Sequence, residues 1–219
     1  KRFVKGRHTI IKLSPRLLAV AELIEPNLKI ADIGTDHAYL PIYLVQQGLI
    51  PGAVAVDIHQ GPYESALGQV AAQGLADKIA VRLGDGLKPV RLGEVQAAVL
   101  AGMGSSTMVD ILEAKPELVN ELQQLVLQPM VGAAHIRRWL SANNWYINKE
   151  VLVEDDGFIY TILAAVPGTQ IITDWLTLEL GPVILKEKPP LLQPYVEKMI
   201  KDLENILANL SRAYSMEAK

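Results

Sequence analysis

A chain of 219 residues, half of them hydrophobic, is long enough to bury one sizeable core with an appendage and too apolar for intrinsic disorder. It has no cysteine, which excludes disulfides and thiolate metal sites and makes a reducing cytoplasm the expected address. A net charge of −3 gives no global attraction to phosphate, and with no run of about 18 apolar residues and no leader pattern, a soluble protein that is not exported is expected.

The local balance at the start differs from the mean. Lys1, Arg2, Lys5, Arg7, Lys12 and Arg16 place six cations and no acid in the first sixteen residues, with His8 among them, which fits either a solvated basic arm or an RNA contact. Ser14-Pro15 then starts a helix, because a serine hydroxyl accepts from the free amides of a first turn and proline fits the first helical position. The apolar residues of "RLLAVAELI" follow at helical spacing.

Beyond this helix, short apolar runs alternate with helical patterns. The runs are "KIADI" at 29–33, "GAVAVD" at 52–57, "KIAVRL" at 78–83, "AAVLAG" at 97–102 and "LVLQP" at 125–129; helices are expected at about 40–48, 61–74, 105–121 and 132–143. Strands without polar alternation, separated by helices, predict a parallel sheet covered on both faces. "WYINKEVLVEDDGFIYTILAAVP" breaks the pattern with two strand-like runs joined at Asp156-Gly157, a hairpin signal. Five parallel βα units closed by an antiparallel hairpin resemble the class I methyltransferases, which use S-adenosylmethionine (SAM).

The composition shifts again after Gly168, and the core is expected to close without residues beyond about 170. "GPVILKEKPP" reads as a connector. From Leu192, the residues Leu192, Val196, Met199, Leu203, Ile206, Leu210 and Tyr214 recur at steps of four and three, the spacing of an amphipathic helix of coiled-coil type. A helix that only packs on the preceding domain carries the same stripe.

The chemistry gathers at the carboxyl ends of the expected strands. In "ADIGTDHAYLP" a dinucleotide fingerprint with Gly34 as its first glycine would need glycines where Asp36 and Tyr39 stand, and a carboxylate beside a pyrophosphate is unfavourable by a few kcal/mol. SAM reverses the sign, because it carries an ammonium and a sulfonium and no phosphate. Asp32 and Asp36 then attract its amino-acid end, Gly34 lets the backbone approach, and His37 stands at the mouth. Asp36 equally meets the requirements of a helix N-cap, and His37 those of an ordinary histidine at a helix start.

Asp57 ends the second run and can accept from two ribose hydroxyls, a feature shared with NAD sites. Asp85, between Gly84 and Gly86, can take an adenine amino group or simply belong to a polar loop. Gly102-Met103-Gly104 ends the fourth run, where small residues leave room for a planar base and Met103 can pack on it. Gln128 ends the fifth and offers an amide that can read a base edge. His8, His37, His59 and His135 show no ligand pair at helical spacing, so no metal is expected.

In this order, "LSPRLLAVAELI", "ADIGTDHAYLPIYLV", "GPYESALGQVAAQGL", "VRLGDGL", "AGMGS", "LVLQP" and "EDDGFIYTILAA" resemble the bacterial tRNA (adenine22-N1)-methyltransferase family, TrmK. The resemblance is dense from Leu13 to Ala165 and looser to about Lys188. It implies a SAM-binding Rossmann-like methyltransferase domain at 1–168, a helical coiled-coil domain at 169–219, and a tRNA substrate methylated at N1 of an adenine in the D-arm. Its cofactor contacts map onto Asp32, Gly34, Thr35, Asp36 and His37, onto Asp57 and Ile58, onto Asp85 and Gly86, and onto Gly102. Asp36, Gly102, Met103, Gly104 and Gln128 form the implied catalytic neighbourhood, with no metal and no membrane partner. Ser105 stands where the pattern carries a glycine and Met130 where it often carries an asparagine. A SAM methyltransferase with another substrate, and a non-catalytic SAM- or RNA-binding regulator, remain open at this point, as does the oligomeric state. N1 lies on the Watson-Crick edge, so a target adenine must be unpaired or flipped out.

Overall fold

The computed structural model describes residues 11–217, with side chains as far as residue 210. Lys1, Arg2, Lys5, Arg7 and His8 therefore lie outside the described residues, as do the side chains of Arg212 and Tyr214. Helix α1 (Pro15–Leu23) begins as its sequence requires, with the Ser14 hydroxyl accepting from the Leu17 amide.

Five strands, β1 (Ile30–Ile33), β2 (Ala53–Asp57), β3 (Ile79–Leu83), β4 (Ala97–Met103) and β5 (Gln124–Pro129), pair in parallel in the order β3-β2-β1-β4-β5. The hairpin of β6 (Trp145–Asp155) and β7 (Phe158–Pro167) completes a seven-stranded sheet, with β7 antiparallel to both β5 and β6 and lying between them. Its turn is Asp156-Gly157, with φ of 49° and 76°; two successive left-handed residues match the twist of a tight hairpin.

The near-continuous apolar strands follow from burial on both faces. Ala97 and Val99 of β4 face α1, α2 (Tyr39–Gln46) and α3 (Gln60–Ala72), through Leu23, Leu40, Ile42 and Val70. Ala98 and Leu100 face α4 (Ser105–Glu113), α5 (Pro116–Val119) and α6 (Ala133–Ala142), through Met108, Leu112, Leu118 and Ile136. The helix expected over 105–121 is thus two helices. Pro116 lacks an amide and crowds the preceding turn, and Lys115 before it leaves the helical region at φ −145° and ψ 61°.

Most of the stretch read as a connector is helical, and so are the residues just before it. α7 (Trp175–Leu180) and α8 (Pro182–Glu187) pack on α6 and β6, burying Leu178, Leu180 and Ile184. Beneath them lies a fully buried ion pair, Arg137 Nε to Glu150 Oε1 at 2.7 Å. Arg137 also donates to the carbonyls of Leu178, Glu179 and Leu180, and Glu150 accepts from the Val183 and Ile184 amides. The core therefore does not close at 170, because a charge pair taken from water needs these backbone groups to complete its shell. Gly181 makes the junction possible: its φ is +99°, and a Cβ there would stand 2.4 Å from Glu150 Oε2. α9 (Leu192–Glu217) follows as one long helix, half-buried at Leu192, Val196 and Met199 and exposed at Leu203, Ile206 and Leu210.

Candidate active site

Two cavities open at the carboxyl edge of the parallel strands, where β1 meets β4 and the strand order reverses. The larger, of ≈ 610 Å³, is lined by Asp57 at the end of β2 and Ile58 just after it, Asp85 and Gly86 after β3, and Met103 from β4. The smaller, of ≈ 250 Å³, is lined by Asp32, Thr35, Asp36 and His37. Gly34 and Gly102 line both, and join them. Both glycines are left-handed, at φ +74° and +78°, and a Cβ on Gly34 would lie 3.0 Å from the Met103 methyl. A side chain at Gly34 would therefore crowd the wall that the two cavities share.

Asp32 forms the floor of the smaller cavity. It is 6% exposed, and burial pushes its carboxyl up to about 6; the Thr35 hydroxyl, donating to Asp32, opposes the rise and the neighbouring Asp57 adds to it. No ion pair among the described residues includes Asp32. A buried carboxyl of this kind, on a cavity wall and in no ion pair of its own, suits a ligand that brings a positive charge. Asp57 holds the turn in place by accepting from the His59 amide at 2.9 Å and the Asp36 amide at 3.4 Å. His37 is anchored on α3 through Ser65 and stacks on Tyr39, with ring centres 5.0 Å apart.

Several sequence-based expectations need correction. Asp36 does not cap α2: it has φ +46° and a solvent-exposed carboxylate, and the cap position is held by Ala38. Met103, expected to pack on a base, lines the larger cavity with its methyl close to Gly34. Gly104 lines neither cavity and serves as the N-cap of α4. Gln128, expected to offer its amide to a base edge, is fully buried with that amide engaged inside the protein: Oε1 accepts from Arg16 Nη1 at 2.5 Å and from the Gly102 amide at 3.0 Å, and Nε2 donates to the Pro129 carbonyl.

Arg16 is accordingly part of the site. The guanidinium lines the smaller cavity opposite the acids of the turn, while the Arg16 amide donates to Asp155 at the hairpin end. Sequence reasoning placed it in a basic arm, because its partner lies 112 positions away. Thr107, Asp110, Ile111 and Ala114 were missed too, yet their spacing is that of one face of α4, and that face lines the larger cavity. Ser105 is buried against Gly132, where a Cβ would come 2.4 Å from the serine Oγ, and Met130 is exposed. Among the described residues no group of three or more acids and histidines could hold a metal, and no helix is long and apolar enough to cross a membrane.

The family model for TrmK, tRNA (adenine(22)-N(1))-methyltransferase, matches residues 30–219. The tRNA (adenine(22)-N(1))-methyltransferase of Bacillus subtilis strain 168 is 38% identical over 212 residues, 94% of this chain and 89% of that protein. The crystal structure of B. subtilis TrmK aligns at a TM-score of 0.85, covering 93% of this chain and 89% of that one, at 38% identity. Sp1610 of Streptococcus pneumoniae, solved in complex with S-adenosyl-L-methionine, aligns at a TM-score of 0.86 with 34% identity, covering 89% of this chain and 91% of that one.

Proposed function

Because the chain belongs to the TrmK family of tRNA (adenine(22)-N(1))-methyltransferases, we infer that it transfers a methyl group from SAM to N1 of adenine 22 in tRNA. The protein is a SAM-dependent enzyme and tRNA is its substrate; a cytoplasmic address fits that substrate. The observation that supports this most directly is Asp32, a buried carboxyl at about 6 and in no ion pair, on the smaller of two cavities that share Gly34 and Gly102.

The residues divide by charge and shape. Asp32 and Arg16 stand in one small cavity as a carboxylate and a guanidinium, a pair that suits the ammonium and the carboxylate of an amino-acid end. Asp57 and Asp85 offer acceptors to a ribose and an adenine amino group in the larger cavity, with Ile58, Met103 and Ile111 supplying its apolar surface. Bound by these residues, SAM would supply the electrophilic methyl group. N1 of adenine already carries an in-plane lone pair, so these residues have little acid-base work. Their task is orientation, and holding reactants in line is worth up to about 7 to 11 kcal/mol. The ring becomes cationic as the bond forms; Asp36, exposed at the mouth, supplies nearby negative charge.

We set the boundary of the SAM-binding domain at the loop after α8, near 188–191, instead of at 168, because α7 and α8 complete the shell of Arg137 and Glu150. α9 then forms the C-terminal part, and its stripe from Leu203 to Leu210 suits a coiled-coil contact. The test of the function is nucleoside mass spectrometry of unmodified tRNA incubated with the protein and SAM. N1-methyladenosine is expected, and a transcript with guanine in place of adenine 22 should be inert. Methyl groups found only on guanine or on N6 would refute the reading.

A further inference from the structure

A second cleft, of ≈ 400 Å³, shares no lining residue with the cofactor cavities. Its floor is the turn at 129–132, fixed to the catalytic turn by the Met130 amide donating to the Met103 carbonyl at 2.9 Å. One wall is β7, through Phe158 and Tyr160; the other is the start of α9, through Tyr195, Lys198 and Met199.

Three of its side chains form a row with Arg16, which lines the smaller cavity. The Arg16 guanidinium carbon stands 5.7 Å from the centre of the Tyr160 ring, the Tyr160 and Phe158 rings are 6.2 Å apart, and Lys198 Nζ stands 4.7 Å from the centre of the Phe158 ring. The inner end is tied to the site, since Arg16 and the Gly102 amide share Gln128 Oε1. Core packing does not require the row: Phe158 and Tyr160 belong to neither apolar cluster, and Phe158 is 53% exposed. Asp202, one helical turn beyond Lys198, is the single carboxylate on the lining, so the cationic side of the rim is the Phe158 side.

Aromatic rings flanked by cations suit an unpaired RNA strand, whose bases stack and whose phosphates are anionic. The cleft is continuous with the catalytic turn without sharing the cofactor's walls, which fits a neighbour of the reacting base better than the base itself. We propose that this cleft seats an unstacked nucleobase of tRNA flanking the methylated adenine, with Phe158 and Tyr160 as the stacking platform and Lys198 meeting the adjoining phosphate. The proposal rests on the tRNA methyltransferase reading above.

The test uses the full chain with Phe158→Leu, Phe158→Tyr and Lys198→Gln, comparing methylation of an unmodified tRNA transcript with SAM affinity by calorimetry. Phe158→Leu, which keeps bulk but removes the π-face, is expected to lower kcat/KM for tRNA on the order of ten- to a hundredfold. Phe158→Tyr should restore it, and Lys198→Gln should raise KM and flatten its dependence on salt. SAM affinity should stay within about twofold of wild type throughout, because the cleft and the cofactor cavities have separate walls. Methylation by Phe158→Leu equal to wild type overturns the proposal, as does a parallel loss of SAM affinity, or loss of a dimer with methylation intact. If the wild-type protein leaves tRNA unmethylated, the tRNA reading itself fails.

Discussion

At the scale of single residues, the seat proposed for the SAM ammonium at Asp32 should couple cofactor binding to pH. Its carboxyl at about 6 lies above the ordinary 3.8, so the folded, ligand-free protein holds this proton more tightly than the unfolded chain does. The associated stability is full below pH 3.8 and is lost as pH rises to about 6, a swing on the order of 3 kcal/mol at 1.36 kcal/mol per pH unit. A bound ammonium lowers that value, so binding must expel the proton wherever Asp32 starts protonated. S-adenosylhomocysteine affinity, measured by calorimetry, should therefore be flat above pH 6 and weaken below it, approaching about tenfold per pH unit. Asp32→Asn should bind weakly at every pH and lose that slope; a wild-type affinity constant from pH 5 to 7 would contradict the assignment. Gly132 is the second residue with a sharp expectation. Alanine there faces both a left-handed backbone at φ +79° and the Ser105 hydroxyl. Gly132→Ala should cost about 2 to 3 kcal/mol in denaturant unfolding, and only about 1 in a Ser105→Gly background, where the backbone strain alone remains. Asp32 and Asp57 were legible in the sequence because an acid ending an apolar run has few other reasons to be there. Arg16 and Gln128 were not, since their roles exist only through a contact between α1 and β5.

At the scale of elements, the strands were readable because residues buried on both faces leave unbroken apolar runs, and the hairpin because Asp-Gly is suited to two left-handed positions. α7 and α8 were hidden by their own junction: Gly181-Pro182 looks like an interruption, and here it ends one helix and begins the next. These two short helices owe their place to Arg137 and Glu150, which are buried with them. A chain cut after Gly168 would leave that pair without five of its backbone partners, and removing partners of a buried charge is worth about 3 to 5 kcal/mol. A chain cut after Pro190 keeps all five. The first should fail to fold or unfold at far lower denaturant, whereas the second should keep SAM affinity and lose most tRNA methylation, because it lacks the α9 wall of the second cleft and the lysines at 198 and 201. Equal methylation by the shorter stable chain and the whole protein would show α9 to be dispensable for RNA.

At the scale of the whole molecule, the sheet separates two apolar layers and brings the loops that line the two cavities to one edge. Residues 32–37, 57–58, 85–86 and 102 are scattered along the chain and meet because parallel strands end on the same side. The position of β7 also sets an order of events during synthesis. β7 is the last strand made, yet it lies inside the sheet, between β5 and β6. Until residue 167 has left the ribosome, β6 has no strand beside it, and β5, buried along its whole length in the finished protein, presents a bare apolar edge. Such an edge recruits other strands, so the nascent chain passes through an aggregation-prone interval that closes only when the hairpin folds back. A ribosome stalled before that point would hold a polypeptide with a complete set of cofactor-facing loops and an unfinished sheet, a natural client for a chaperone that binds exposed strands.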